Sequence, residues 1–322
     1  MGEAILKIDN LRKYYPVKRQ NSFGKSEWLK AVDGISFEVY EGETLGLVGE
    51  SGCGKSTTRK LLLRLEEATS GSIYFHGRDI YRMNRAELKA FRHEAQVVFQ
   101  DPYASLDPKW KVGKIIGEPL QIHGIGNRKT RREKVLALME CVGLPAEYYE
   151  RYAHEFSGGQ RQRIGIARAL ALEPTLIVAD EPVSALDVSI QAQILNLMKD
   201  LQKRLELTYV FISHDLSVVK HICQRVAVMY LGKIVEIADT EELFSNPLHP
   251  YTVALMNAIP LPDPTLKQQL NVLEGEVPSP INPPTGCPFH TRCPHAMDIC
   301  RVQEPPVNMM QNGHQLACHL YK

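Results

Sequence analysis

Eight consecutive residues, Gly49-Glu50-Ser51-Gly52-Cys53-Gly54-Lys55-Ser56, carry the strongest chemical signal in the chain. They match the spacing G-x-x-x-x-G-K-[ST]. Glycines at these positions let the backbone curl so that its N–H groups point inward at phosphate oxygens. A short apolar run, Thr44-Leu45-Gly46-Leu47-Val48, precedes them, and a helix is predicted from about Lys55. The N-terminus of that helix adds the positive end of its dipole. Lys55 is expected to reach the β and γ phosphates of a bound nucleotide, and Ser56 to place its hydroxyl on Mg2+. The nucleotide-contacting set is then Gly49, Ser51, Gly52, Cys53, Gly54, Lys55, Ser56 and Thr57. Cys53 stands where the motif is free to vary, so its side chain is given no role. A glycine-rich turn that merely happens to contain Lys-Ser would not need the strand before it and the helix after it.

A second apolar run, Leu176-Ile177-Val178-Ala179, ends in two acids, Asp180 and Glu181. A buried parallel strand presents its last residues at the sheet edge where open α/β folds bind ligands. Asp180 is expected to hold Mg2+ through water, since a hard oxygen donor suits that ion. Glu181 is expected to point at the γ-phosphate and orient the attacking water. Alone, the pair could simply end a strand, and the phosphate loop upstream weighs against that.

These motifs need a sheet to carry them. Strand and helix alternate through Leu176–Ala179, Ile190–Leu205, Thr208–Ile212, Leu216–Ile222 and Arg225–Tyr230, which predicts a mostly parallel sheet with helices on its faces. Ile5–Ile8 and Ile35–Val39 read as strands, and the basic stretch Gln20–Lys25 between them as a hairpin loop or insertion. Further strands are predicted at Ser72–Phe75 and Gln96–Phe99, and Trp110–Tyr152 turns helical. Composition shifts after about Pro247. Residues 260–308 hold eleven prolines, which predicts an irregular appendage and not more of the sheet.

The bulk numbers narrow the class. The 322 residues suffice for about two domains, and 44% hydrophobic with 23% charged residues allows a sizeable core. The 38 basic and 37 acidic side chains leave a formal charge of +1 and no long-range field toward nucleic acid or anionic lipid. Basic clusters at Lys18–Lys30 and Arg128–Lys134 read as solvated surface. No apolar run approaches the roughly 18 residues that span a bilayer. The start, Met-Gly-Glu-Ala-Ile-Leu, lacks the basic and apolar regions of a secretory signal. The expectation is a soluble cytosolic chain that reaches a membrane only through a partner.

Of seven cysteines, Cys53, Cys141 and Cys223 are scattered, while Cys287, Cys293, Cys300 and Cys318 cluster near the C-terminus. A reducing compartment disfavours a disulfide framework. The spacing C-x5-C-x6-C-x17-C is not the paired C-x-x-C of zinc ribbons. Four thiolates suit a [4Fe–4S] cluster or zinc. His290, His295, His314 and His319 leave a mixed zinc site open, and four free buried thiols are a third reading.

Phe156-Ser157-Gly158-Gly159-Gln160 resembles the LSGGQ signature of ABC ATPases, with Phe156 for Leu as a conservative departure. It lies between the phosphate loop and the acid strand, as in that family. Gln100, after Val97-Val98-Phe99, resembles the Q-loop glutamine. Ser184-Ala185-Leu186-Asp187 resembles the D-loop, His214 the switch histidine, and Tyr15 the aromatic that stacks on adenine. Taken singly, Gln100 could merely end a strand, His214 could be a satisfied core histidine, and Tyr14 or Tyr15 could be packing. The resemblance spans about residues 4–245 and seven motifs in order.

That resemblance implies an α/β P-loop NTPase with a RecA-like core, an antiparallel β subdomain and a helical subdomain at about 101–158. The ATPase domain would occupy 1–245 and a Pro- and Cys-rich extension 246–322. It implies ATP hydrolysis with Glu181, His214 and Gln100 catalytic, and Ser56, Gln100 and Asp180 as the Mg2+ set. Ser157, Gly158, Gly159 and Gln160 would contact the γ-phosphate held by a second subunit, with the D-loop Asp187 alongside. Two chains would sandwich two ATP molecules, a two-state element biased by the γ-phosphate.

Asp101–Pro108, Glu181–Ser189, Asn246–Thr252, Gly286–His290 and Arg292-Cys293-Pro294 resemble the oligopeptide/dipeptide importers, and Tyr103 with the long basic N-terminal loop resembles their F-type ATPase. This implies a D-type ATPase subunit as heterodimer partner, two transmembrane permeases and an extracytoplasmic peptide-binding protein, without nucleic acid. The chain would sit peripherally at the cytoplasmic face of the inner membrane. The same resemblance favours a structural [4Fe–4S] cluster on Cys287, Cys293, Cys300 and Cys318, with Zn2+ second. The alternatives are an importer ATPase for nickel, glutathione or oligosaccharide, and an ABC ATPase without a transporter. The latter chains carry a long coiled coil or two cassettes. A P-loop phosphotransferase would lack Ser157–Gln160.

Overall fold

A computed structural model describes residues 3–17, 27–258, 275–310 and 313–321. The chain begins with strands β1 (Ala4–Val17), β2 (Glu27–Tyr40) and β3 (Thr44–Val48), helix α1 (Lys55–Leu62), β4 (Ser70–Phe75), β5 (Arg78–Asp79), α2 (Arg85–Glu94) and β6 (Ala95–Val98). Helices α3 (Val112–Ile122), α4 (Arg128–Cys141) and α5 (Gly158–Leu170) follow, then β7 (Leu176–Asp180), α6 (Val188–Leu205), β8 (Thr208–Ser213), α7 (Leu216–Ile222) and β9 (Arg225–Tyr230). The last elements are β10 (Lys233–Asp239), α8 (Thr240–Ser245), α9 (Pro250–Asn257), α10 (Asp298–Val302), β11 (Asn308–Met309) and β12 (Gln315–Leu316). They form two compact units, one of Met1–Glu3, Val39–Thr44 and Arg82–Ile212, the other of Ala4–Glu38, Leu45–Tyr81 and Ser213–Lys322.

In the first unit β6, β7 and β8 run parallel, with Ala95 opposite Leu176 and Leu176 opposite Thr208. Every residue of β7 and β8 is buried. They therefore read as unbroken apolar runs, the pattern of parallel strands covered on both faces. Helix α3 packs on α4 and α5 and buries Val112, Ile115, Ile116 and Leu120. Asn84 and Asn127 open α2 and α4 with reciprocal side-chain caps that satisfy first-turn N–H groups.

In the second unit β2, β1, β4 and β5 form a sheet in that order, antiparallel between β1 and β4 and between β4 and β5. Beside it β3 pairs parallel with β9, so the phosphate loop leaves the end of a strand buried along its whole length. Strand β9 pairs antiparallel with β10.

The C-terminal extension differs from its predicted form. It is irregular over much of its described length, yet it adds two strands, since β12 pairs with β10 and β11 with β12. The reason is a buried acid. Glu236, in β10 and 1% exposed, accepts from the backbone N–H of Leu248 (2.8 Å) and His249 (3.1 Å) and pairs with His314 Nε2 at 2.7 Å. A buried carboxylate needs such partners, and here they draw the extension onto the edge of β10. Strand β10 and helix α2 were not anticipated. The predicted loop at Gln20–Lys25, and Pro260, Pro262 and Pro264, lie outside the described residues. Among the described residues no helix is long and apolar enough to cross a membrane.

Candidate active site

The phosphate loop is curled by its own neighbours. Gly49 has φ 151° and Gly54 φ 113°, and a Cβ at either would overlap a main-chain carbonyl oxygen, of Met229 and of Ala31 respectively. Only glycine fits both. The turn after β9 closes on the loop, with Gly232 N–H donating to Cys53 O at 2.8 Å. Lys55 is 6% exposed, and its Nζ donates to Gly49 O (2.6 Å) and Glu50 O (3.0 Å). The ammonium is thus buried on the loop's own carbonyls. Lys55, Ser56 and Thr57 form the first turn of α1, whose N–H groups have no intrahelical acceptor and suit an anion. Burial pushes the Cys53 thiol up, against the opposing pull of Lys55.

Tyr14 and Tyr15 diverge. The Tyr14 hydroxyl bonds Asp33 and the Tyr15 hydroxyl bonds Glu66. Desolvation pushes both up to about 12, aided by those carboxylates. The Tyr15 hydroxyl also interacts with Thr57 at the loop's end. His214 is exposed and sits between the end of β8 and α7, where Asp215 caps the helix by accepting from Ser217 N–H at 2.8 Å.

In the other unit the acids stand at the end of β7. Asp180 is 5% exposed. Glu181 has φ 46°, a left-handed backbone that costs a non-glycine residue about 1–3 kcal/mol and concentrates at functional sites. It is held there by its N–H on Ile212 O (2.9 Å) and by its carbonyl, which accepts from Ser184 N (3.2 Å) and Ser184 Oγ (3.1 Å). Gln100 Nε2 donates to Glu181 Oε2 at 2.8 Å, so the structure brings Gln100 and the Glu181 carboxylate together.

Ser157 is exposed at the N-terminus of α5, where Ser157 and Gln160 cap each other's backbone N–H groups. Phe156 is buried against Tyr148, with ring centroids 5.1 Å apart, so the larger apolar residue is accommodated. A Cβ on Gly159 would lie 2.5 Å from Ile190 Cγ2, and one on Gly158 would lie 3.1 Å from Leu186 Cδ2. The two glycines thus let Leu186 and the start of α6 approach the turn at Ser157. Gln191 Nε2 clamps the turn Val183–Leu186 by donating to Val183 O and Leu186 O, both at 3.0 Å. Asp187 precedes α6 exposed, and its carboxylate makes no cap.

The four C-terminal thiols lie close enough to influence one another. Burial pushes Cys287 up to about 11, and Cys300, Cys318 and Cys293 add to this. Burial likewise raises Cys293 and Cys318. Backbone amides two residues on, from Phe289, His295 and Leu320, pull the three thiols the other way. Among the described residues, no three His, Cys, Asp or Glu side chains are disposed to hold a metal ion.

Sequence reasoning missed Glu50 and Tyr251 as parts of the loop's support. Glu50 N–H donates to Tyr251 Oη at 2.9 Å. The run Asn246–Thr252 held Tyr251 in view, but its partner is 201 residues away.

Comparison with known proteins gives the family. A family model described as ABC transporter matches residues 32–184, and one described as oligopeptide/dipeptide transporter, C-terminal region, matches residues 235–300. An oligopeptide transport ATP-binding protein of Bacillus subtilis is 53% identical over 322 residues, covering 99% of this chain and 98% of that protein. A dipeptide transport ATP-binding protein of Haemophilus influenzae is 55% identical over 315 residues, covering 98% and 96%. Among solved structures, a subunit of an ABC transporter complex from Clostridium perfringens superposes with a TM-score of 0.65 at 26% identity, over 76% of this chain and 91% of that one. A dimeric ATP-binding cassette in a post-hydrolysis state, bound to ADP and Pi, gives a TM-score of 0.63 at 28% identity, over 73% and 98%.

Proposed function

This chain belongs to the ATP-binding subunits of ABC transporters, in their oligopeptide/dipeptide branch, and from that membership we infer that it hydrolyses ATP to power peptide import. The observation that carries the reading is the phosphate loop: two obligatory glycines, a buried Lys55 on the loop's carbonyls, and a helix N-terminus immediately after. Gly49–Thr57 bind the phosphates, and Tyr15, near Thr57, stacks on the adenine. Ser56, Asp180 and Gln100 would hold Mg2+, which neutralises phosphate charge when bound. The donor types, a hydroxyl, a carboxylate and a carboxamide oxygen, suit that hard ion. Glu181, fixed by Gln100, orients the attacking water, and His214 senses the γ-phosphate. Ser157, Gly158, Gly159 and Gln160 meet the nucleotide of a second ATPase subunit, with Asp187 beside them.

The similarity to named peptide-transport subunits supports peptides as the cargo. The F-type features support a D-type ATPase as the partner, with two permeases and an extracytoplasmic binding protein. The chain then works peripherally, at the cytoplasmic face of the inner membrane. The four cysteines are assigned to a structural [4Fe–4S] cluster ahead of zinc. Their type and mutual proximity support this, although their side chains must close in to form a ligand set. ATP turnover by the assembled complex tests the function. Peptide-loaded binding protein should raise it severalfold. Turnover indifferent to the loaded binding protein, or raised by another cargo alone, would overturn peptide import.

A further inference from the structure

An ion pair that no motif announces ties the phosphate loop to the C-terminal extension. Arg292, in the segment between Cys287 and Cys293, donates from Nη1 to Glu50 Oε2 at 2.8 Å and from Nη2 to Glu50 Oε1 at 3.2 Å. The Arg292 side chain is 6% exposed and that of Glu50 26%. Glu50 is the loop's second residue, directly after Gly49. Its backbone N–H is held separately, by the hydroxyl of the fully buried Tyr251. Tyr251 packs against Tyr230 and Phe289, with ring centroids 4.6 and 5.4 Å away. Phe289 comes from the same cysteine-flanked segment as Arg292. One loop residue is therefore gripped at its carboxylate and its amide by two parts of the chain more than 200 residues distant.

The chemistry gives this grip a purpose. A carboxylate loose beside a triphosphate repels it, and the repulsion grows as the site excludes water. A bidentate guanidinium both neutralises the carboxylate and fixes its direction. The grip also reaches Lys55, because Lys55 Nζ binds the carbonyls of Gly49 and Glu50. Turning the Glu50 peptide would move the acceptors that place the ammonium.

We propose that Arg292 is a positioning residue for nucleotide: it neutralises and anchors Glu50, so the fold of the Cys287–Cys293 segment helps set the affinity of the phosphate loop for nucleotide. The inference rests on that loop being the ATP site. A change in the shape of the cysteine segment reaches the loop through this pair, and through Phe289 packed on Tyr251.

The test is MgADP affinity of the full chain by titration calorimetry, for Arg292→Met, Glu50→Gln and the double variant. R292M strands a carboxylate on the phosphate loop and weakens binding about tenfold or more, the loss typical of an ion pair cut on one side. E50Q alone costs about threefold or less, because the charge it leaves unpaired, on Arg292, is a cation and does not repel the phosphates. R292M/E50Q returns to within about threefold of wild type, a rescue that a purely structural arginine would not show. Wild-type affinity in R292M, or a double variant as weak as the product of the singles, overturns the proposal. If R292M does not fold, Arg292→Lys reads the same contact: a single-point ammonium gives a severalfold loss, and unchanged affinity overturns it. Failure of the wild-type chain to bind MgADP would refute the ATP-site reading instead.

Discussion

Replacing Gly49 and Gly52 separately by alanine isolates what shapes the phosphate loop. Both have positive φ, 151° and 81°, so each alanine carries a backbone penalty of about 1–3 kcal/mol. Loss of glycine's freedom in the unfolded chain returns about 0.4–1 kcal/mol in both. The difference lies in the space around them. A Cβ at Gly52 meets nothing within 4 Å, whereas one at Gly49 overlaps the Met229 carbonyl oxygen and stands 2.8 Å from Cys53 Sγ. Met229 lies in β9, which pairs with β3, so its carbonyl cannot withdraw without loosening that ladder. Overpacking of this kind adds about 1–3 kcal/mol. At ~2–4 °C per kcal/mol, Gly49→Ala should melt about 2–12 °C below Gly52→Ala. Gly49→Ala should also lose measurable ATP binding. Thermal melts and nucleotide titrations of the two full-length variants decide the matter. Equal melting losses would refute the claim that close approach of β9 moulds the loop.

Three further outcomes are expected. Gln100→Ala removes the 2.8 Å bond that fixes Glu181 and should lower kcat about tenfold or more with a much smaller effect on nucleotide affinity, checked by steady-state phosphate release; unchanged kcat would contradict the pairing. Burial lowers His249 to about 4, against the opposing pull of Glu236, so it folds neutral. Because the unfolded side chain protonates near ~6.5, up to ~3 kcal/mol of stability is present above that pH and lost as pH falls toward 4. His249→Asn, which can keep the cap on Tyr251 N–H, should flatten that slope in denaturant titrations across the window. Metal analysis of anaerobically purified protein should find about four irons per chain, and one zinc per chain would reverse the assignment at the four cysteines.

What was legible in the sequence was local. The phosphate loop, the Asp180-Glu181 strand end and the Ser157–Gln160 turn each join a strand or helix to its chemistry within about ten residues, so spacing alone locates them. Helix α2 carried a readable sign, Asn84 with Glu87 three residues on, which the structure uses as a capping box. Strand β10 hid because Glu236 interrupts its apolar pattern, and the groups that satisfy this acid come from residues 248, 249 and 314. The small strands β11 and β12 exist only through pairing, β12 with β10 and β11 with β12, and proline content pointed away from them. Nothing local could announce Arg292 to Glu50, a pair 242 residues apart. The strained backbone at Glu181 was equally invisible, since a glutamate at φ 46° is set by its fixed N–H and carbonyl and not by its own preference.

The central claim is that this chain binds ATP on Gly49–Thr57 and cleaves it with Glu181. Acid-quenched chromatography of the nucleotide recovered from Glu181→Gln protein, after incubation with MgATP and its partner subunits, tests it most directly. The account predicts intact ATP retained on the protein while wild type yields ADP. Recovery of ADP from Glu181→Gln at the wild-type rate would contradict it.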